Sequence, residues 1–335
     1  MLLTNKNIKH PDLVFNGTIL ENVTCHKHLG LNISSNLKWT SHIDKMLQSV
    51  SRMLDVSMKL QYKLDRKTLE TIYLSFIRPK LEYGSIIWDD CNIREKVRLE
   101  KIQLRAARLV TGAKKGTSHE LLYNELNWDK LEVRRHNDKL KFMHKIVNKN
   151  MPNYLCEILP DTVGSNVNIK TRTSDNLRQY PCKGASFAKS LMPYCIDMWN
   201  ELEDDVKSIV DFEVFKNVVI EAKSKEELYN FGDRKWNIIH AQLRLNCSNL
   251  NSHLVSLHVL DDATCLCGFE TENTNHFFFS CPLYTVERQE LMDNVNTICD
   301  ATLNTLLFGN NDVSLENNQL IFSYVHDFIK KSKRF

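Results

Sequence analysis

Cys265, Cys267, His276 and Cys281 fall within the stretch CLCGFETENTNHFFFSC, spaced Cys-x-Cys-x8-His-x4-Cys. Three thiols and an imidazole so grouped suit a zinc ion, which takes four soft or borderline donors tetrahedrally. The first two are separated by one residue rather than two. On an extended stretch residues i and i+2 share a face, so both thiolates can still converge. Gly268 permits the chain to turn back, and Pro282 ends the segment. Four protein ligands leave no position for water, so the metal would be structural. The competing reading is a small core of buried thiols beside Phe277, Phe278 and Phe279, since free Cys often serves as a small hydrophobe. Cys247, His253 and His258 are expected nearby but outside the ligand set.

A second group is cationic. In REKVRLEKIQLRAARLVTG, Arg94, Arg98, Lys101, Arg105 and Arg108 recur at steps of four, three, four and three. Leu99, Ile102, Ala106 and Leu109 repeat those steps on another face. One side packs while the other offers a row of cations about 20 Å long. Such a row can follow a phosphate backbone with little base preference, each neutralised phosphate releasing counterions. The alternative is a solvated helix face softened by Glu95 and Glu100.

Acidic pairs raise the question of two-metal chemistry. Ile87-Trp88-Asp89-Asp90 looks superficially like a polymerase motif, but such a site needs carboxylates from neighbouring strands, whereas helical patterns flank this one. Asp89 reads as a helix cap. Asp204-Asp205 and Asp261-Asp262 have no strand frame. No Gly-rich phosphate loop, Gly-x-Ser-x-Gly elbow or His-Glu-x-x-His motif is present.

These groups need elements to position them. VFNGTIL carries an Asn-Gly hairpin signal, and His28-Leu29-Gly30-Leu31 reads as a short strand. A helix follows with Ser41 as its cap and Ile43, Leu47, Val50 and Leu54 inward. The next opens at Asp65 and presents Leu69, Ile72, Tyr73, Phe76 and Ile77 before Pro79 closes it. Further helices are expected from Arg94 to Val110, stopped by Gly112, and from Leu131 to Val147. From Pro152 the periodicity weakens. Helices resume near Ala185–Glu201, Val214–Tyr229 and Asn317–Lys331. The expected class is mainly α: a small N-terminal β segment (1–38), a helical bundle (39–150), a connecting region (151–235), a Cys/His unit (236–292) and a helical tail (293–335).

The chain has 335 residues, 25% charged and 42% hydrophobic, with a formal net charge of +3. That composition is neither disordered nor membranous. The charge is uneven, with fifteen Lys/Arg against seven Asp/Glu from Arg94 to Lys149, and ten acids against four bases from Glu201 to Asp233. No stretch reaches the ~18 apolar residues of a membrane span, and no secretory leader is visible. The ten cysteines therefore read as reduced thiols of an intracellular protein, cytoplasmic or nuclear.

Five segments in order carry a resemblance. HKHLGLNISSNLKWTSHI, IYLSFIRPKLEYGSIIWDD, LEKIQLRAARLVTG, LNWDKLEVRRH and SFAKSLMPYCIDMWNEL, followed by CLCGFETENTNHFFFSCPLY, look like the part that follows the polymerase core in reverse transcriptases of non-LTR retrotransposons. The resemblance runs from about Val14 to about Tyr284. It implies a thumb-like bundle, a connecting region and a terminal zinc knuckle that grips RNA or DNA. The family's palm, with its Tyr/Phe-x-Asp-Asp hairpin and magnesium ions, would lie before His28, where only a short stretch stands. Magnesium is thus not expected to bind here. The likeness implies a non-catalytic fragment, with Met1 an internal start and a polymerase core as a possible partner. Glu203 replaces the Pro that often follows Trp-Asn-x-Leu. The alternative is a zinc-stabilised module for protein–protein contacts.

Overall fold

The computed structural model describes residues 3, 12–166, 174–182, 184–219 and 227–335. The fold is mainly α, with two small antiparallel hairpins near the amino end. In the first hairpin Val14–Phe15 pairs with Thr18–Ile19. Asn16 and Gly17, at φ 47° and 76°, form its turn, as the Asn-Gly signal requires. In the second, Cys25–His28 pairs with Leu31–Ser34. The expected strand His28–Leu31 is therefore split, with His28 and Leu31 facing each other at the ends of the paired strands and Leu29 and Gly30 turning between them. Leu29 and Gly30 sit at φ 44° and 86°, and Tyr83 donates its hydroxyl to the Leu29 carbonyl at 2.8 Å. A Cβ on Gly30 would stand 2.9 Å from the Tyr83 ring, so only glycine fits beneath that contact.

The helix Thr40–Lys59 buries Ile43, Leu47, Val50 and Leu54, the expected face. It begins one residue before Ser41, which lies inside it rather than capping it. Asp65 does cap the next helix, Arg66–Ile72, accepting from the Thr68 amide at 2.7 Å. Pro79 does not end this run. A π turn, Tyr73–Ile77, leads into the helix Arg78–Glu82. The wider turn spares the chain the i→i−4 bond that proline cannot donate. It also changes the period: Leu69, Tyr73, Ile77 and Leu81 are buried at steps of four, while Phe76 is 58% exposed. Helices Ile93–Thr111 and Leu131–Val147 stand where their periodicity places them.

Further on, the expected helix Ala185–Glu201 is broken into Ala185–Ala188 and Leu191–Asn200. Of the expected helix Val214–Tyr229, residues 220–226 lie outside the described residues. The remainder forms the helix Phe212–Val219 and a 3-10 turn, Glu227–Asn230. Residues 167–173 and 183 of the aperiodic stretch likewise lie outside them.

The chain divides into two compact units, each assembled from non-consecutive segments. The first draws on Met1–Ser49, Lys80–Glu100 and Asp129–Lys223. One of its cores gathers Leu140, Met143, Leu177, Cys195, Ile196, Met198, Trp199 and Phe215. Asn200, the Asn of Trp-Asn-x-Leu, clamps Leu177 by accepting from its amide and donating to its carbonyl, both at 2.9 Å. Asp89 lies buried in this unit. Its carboxylate accepts from Arg135 Nε at 2.6 Å and from Lys139 Nζ, and Lys96 Nζ stands 3.2 Å away. As the expected cap it ends the helix Ser85–Trp88, its amide donating to the Ser85 carbonyl at 2.9 Å, but its side chain does not cap the next helix. Asn92 caps the following helix instead, accepting from the Glu95 amide at 3.0 Å, and Glu95 returns the bond at 3.1 Å.

The second unit draws on Val50–Pro79, Lys101–Trp128 and Ser224–Phe335. Its core joins Phe277 and Phe278 to Leu291, Val295, Leu306 and, from the last helix Leu315–Ser332, Ile321, Phe322, Val325, Phe328 and Ile329. Cys265 and Cys281 belong to the same core. The Cys/His segment and the terminal helix thus share one apolar interior. A buried triad also lies here: Glu125 Oε1 accepts from Arg66 Nη1 and Arg244 Nη2, each at 2.7 Å.

Candidate metal centre

Cys265 and Cys267 are presented by a turn, not by the extended stretch the spacing suggested. The Gly268 amide donates to the Cys265 carbonyl at 2.9 Å, and the Cys265 amide donates to the Phe269 carbonyl at 2.8 Å. Gly268 sits at φ 88° with open space where a side chain would be, so this reversal uses the conformation glycine favours. Leu266, between the two cysteines, points into solvent. Asp262 fixes the approach by accepting from the Thr264 amide at 2.9 Å and its hydroxyl at 2.7 Å.

His276 and Cys281 arrive on the opposite arm. Asn273 Oδ1 accepts from the His276 amide at 2.8 Å at the start of the π turn His276–Ser280. The Cys281 amide closes that turn onto the His276 carbonyl at 2.8 Å. Phe277 and Phe278 point into the core, where Phe277 meets Phe328 at 5.0 Å and Tyr284 at 5.3 Å between ring centroids. Burying two adjacent aromatic side chains anchors the arm, each burial being worth a few kcal/mol on general grounds. Arg288 donates to the carbonyls of Phe278, at 3.0 Å, and Cys281.

The four donor atoms converge. Cys265 Sγ and Cys281 Sγ stand 3.8 Å apart, Cys267 Sγ and His276 Nε2 3.3 Å apart, and all four lie within 4.8 Å of one another. The sulfur separation excludes a disulfide, which needs about 2.05 Å. The Phe269 ring stacks on the His276 imidazole at 4.4 Å with 3° between planes, fixing its orientation. Burial holds the His276 pKa below its ordinary value, which favours the neutral, ligating form. Burial also pushes the Cys265 thiol up to about 12. A bound cation reverses that preference by stabilising the thiolate directly. His276 Nδ1 is buried with no hydrogen-bond partner. The group can hold one metal ion, and it is the sole such cluster found among the described residues.

His253 stays outside it, as expected. Its Nδ1 accepts from the Ser248 hydroxyl at 2.8 Å, and its Nε2 donates to the Thr274 hydroxyl at 3.1 Å. Missing from the sequence reading is Glu272, buried beside the loop and gripped by Arg334 through Nε at 2.6 Å and Nη2 at 2.5 Å. Glu272 also accepts from the Asn251 amide at 2.9 Å. No local pattern marks a partner 62 residues away.

The cationic row lies on the helix Ile93–Thr111, away from the metal ligands in sequence. Leu99, Ile102, Ala106 and Leu109 are buried. Arg94, Arg98 and Lys101 are exposed, and Arg105 and Arg108 half-buried. Arg94 and Arg98 fall in the first unit, and Lys101, Arg105 and Arg108 in the second. Two are paired: Arg98 with Asp44 at 2.7 Å and Arg105 with Asp55 at 2.8 Å. Neither Asp44 nor Asp55 is marked by any local pattern as a partner of this row. No helix among the described residues is long and apolar enough to cross a membrane. No protein-family model, no curated protein and no solved structure matches this chain.

Proposed function

We propose that this chain is the non-catalytic C-terminal part of a non-LTR retroelement reverse transcriptase, binding RNA or DNA through its basic helix and stiffened by a structural zinc ion. The observation that carries the binding is the separation of faces on the helix Ile93–Thr111, with an apolar stripe buried, Arg94, Arg98 and Lys101 exposed, and Arg105 and Arg108 half-buried. The ordered resemblance of five segments and the Cys/His stretch supports the identity. Phosphate contacts along such a helix confer affinity without base preference.

The donor chemistry and spacing support zinc. A tetrahedral ion with Zn–S of about 2.3 Å and Zn–N of about 2.0 Å sets sulfurs about 3.8 Å apart and sulfur and nitrogen about 3.5 Å apart. The corresponding separations here are 3.8 Å and 3.3 Å. Three thiolates around a divalent ion leave one net negative charge, and Arg288 stands beside it on the Cys281 carbonyl. The closed set favours a structural role. Magnesium does not fit Asp89, whose oxygens are taken by Arg135, Lys139 and Lys96. That supports a chain that does not extend a primer by itself. The ten free cysteines support a reducing, intracellular setting.

Ultraviolet crosslinking of the full chain to a random-sequence RNA, followed by peptide mapping, tests the binding. Crosslinked peptides should fall within Ile93–Thr111; crosslinks confined to other helices would refute this assignment. The second reading, a protein-docking module, is favoured by the exposed apolar side chains Leu266, Phe269, Leu283 and Val286 flanking the metal ligands in sequence. Absence of any RNA or DNA binding at low salt would leave that reading standing.

A further inference from the structure

Two of the five cations already hold an anion. Arg98 pairs with Asp44, and Arg105 with Asp55, the two acids standing on the helix Thr40–Lys59. Each pair belongs to its own compact unit. Arg94 and Lys101 in the same row are exposed and take part in no ion pair among the described residues. We propose that Asp44 and Asp55 are resident competitors, carboxylates that occupy Arg98 and Arg105 in the free chain and yield them to nucleic-acid phosphates on binding. The proposal rests on the nucleic-acid reading above.

The energetics suit an exchange. The pairs are open to solvent, with side-chain exposures of 46% and 51% for Arg98 and Asp44, and 40% and 57% for Arg105 and Asp55. Exposed pairs of this kind are weak and break readily. A phosphate offers the guanidinium the same charge-assisted hydrogen bonds as the carboxylate it replaces. A nucleic acid adds counterion release, which an isolated carboxylate or a sparse acidic surface does not. Arg94 and Lys101 are free to make first contact. Asp44 and Asp55 then set a threshold: dense polyanions displace them, while weakly charged partners do not.

The test is a double-mutant cycle on the full chain, using fluorescence anisotropy with a labelled random-sequence RNA at fixed low salt. Asp44→Asn with Asp55→Asn should tighten binding by between about 2- and 30-fold, the range for releasing two exposed pairs. In a chain already carrying Arg98→Gln and Arg105→Gln, the same change should tighten it by less than about twofold, because no held cation is left to release. Equal tightening in both backgrounds would mean that the acids act only through the long-range field, and the proposal would fail. No tightening in either would also overturn it. If none of the four chains binds RNA, the nucleic-acid reading falls and takes this proposal with it; binding without coupling removes the competitors alone.

Discussion

Substituting Cys265 by Ser should remove one donor from the set Cys265, Cys267, His276 and Cys281, whose ligand atoms lie within 4.8 Å of one another. Elemental analysis should find about one zinc per native chain and well under half of that in the variant. These four were legible as a set because all lie in one short stretch whose spacing limits how they can face one another. What the sequence missed is the way they are presented, since a Cys265–Gly268 turn with Leu266 exposed leaves no alternation of faces to read. Asp89 marks the limit of reading residues singly. Its sequence surroundings suggested a cap, which its backbone is for the helix Ser85–Trp88, but its side-chain partners Arg135 and Lys139 lie 46 and 50 residues on, on another helix. Burial alone would raise its pKa; Lys139, Arg135 and Lys96 outweigh that and hold it below the ordinary carboxylate value. Asp89→Asn leaves two buried cations without a counter-charge, which should cost about 3–5 kcal/mol in urea unfolding. A loss below about 1 kcal/mol would show that the cations find another anion.

Helices were read well where the apolar period is a plain 3.6, as in Leu131–Val147, and poorly where a local departure changes it. The Tyr73–Ile77 π turn is such a departure: it carries the chain past Pro79, moves Phe76 out of the core and recruits Leu81. The Leu29–Gly30 turn is another, because a leucine at positive φ sends no signal of its own. Contacts between helices were not readable at all. Helices Arg234–Arg244 and Leu315–Ser332 meet through a buried histidine pair, with His326 Nε2 donating to His240 Nδ1 at 3.3 Å and His240 Nε2 donating to the Leu306 carbonyl at 2.9 Å. Burial, followed by the Arg244 charge, drives both pKa values down, that of His326 to about 4 and that of His240 well below its ordinary value. Both are therefore neutral when folded. Between about pH 6.5 and 4 the unfolded chain binds more protons than the folded one, so stability should fall as pH is lowered through that window. Above pH 7 these two groups contribute no slope. Melting temperatures at pH 7.5 and 5.0 should differ in that sense, and His326→Gln should shrink the difference. A melting temperature that holds or rises at pH 5.0 would contradict the buried neutral pair.

At the scale of the whole molecule, the mainly α class with a small β segment near the amino end was legible from composition and periodicity. The compact units were not, because each gathers distant stretches while periodicity speaks only of neighbours. The tail beyond residue 293 looked separable, yet Ile321, Phe322, Val325, Phe328 and Ile329 share a core with Phe277 and Phe278. The metal centre is therefore joined to the last helix through common packing. The central claim is that this chain binds nucleic-acid backbones through the row from Arg94 to Arg108, and its most direct test is the salt dependence of affinity. Log affinity of the native chain for unrelated RNA and DNA sequences should fall linearly with log salt. Five phosphate contacts predict a slope of about −3.5 to −4.5. Arg94→Gln with Lys101→Gln should reduce its magnitude by about 1.5 and weaken all sequences alike. A slope near zero, or one that this double substitution leaves unchanged, would contradict the account.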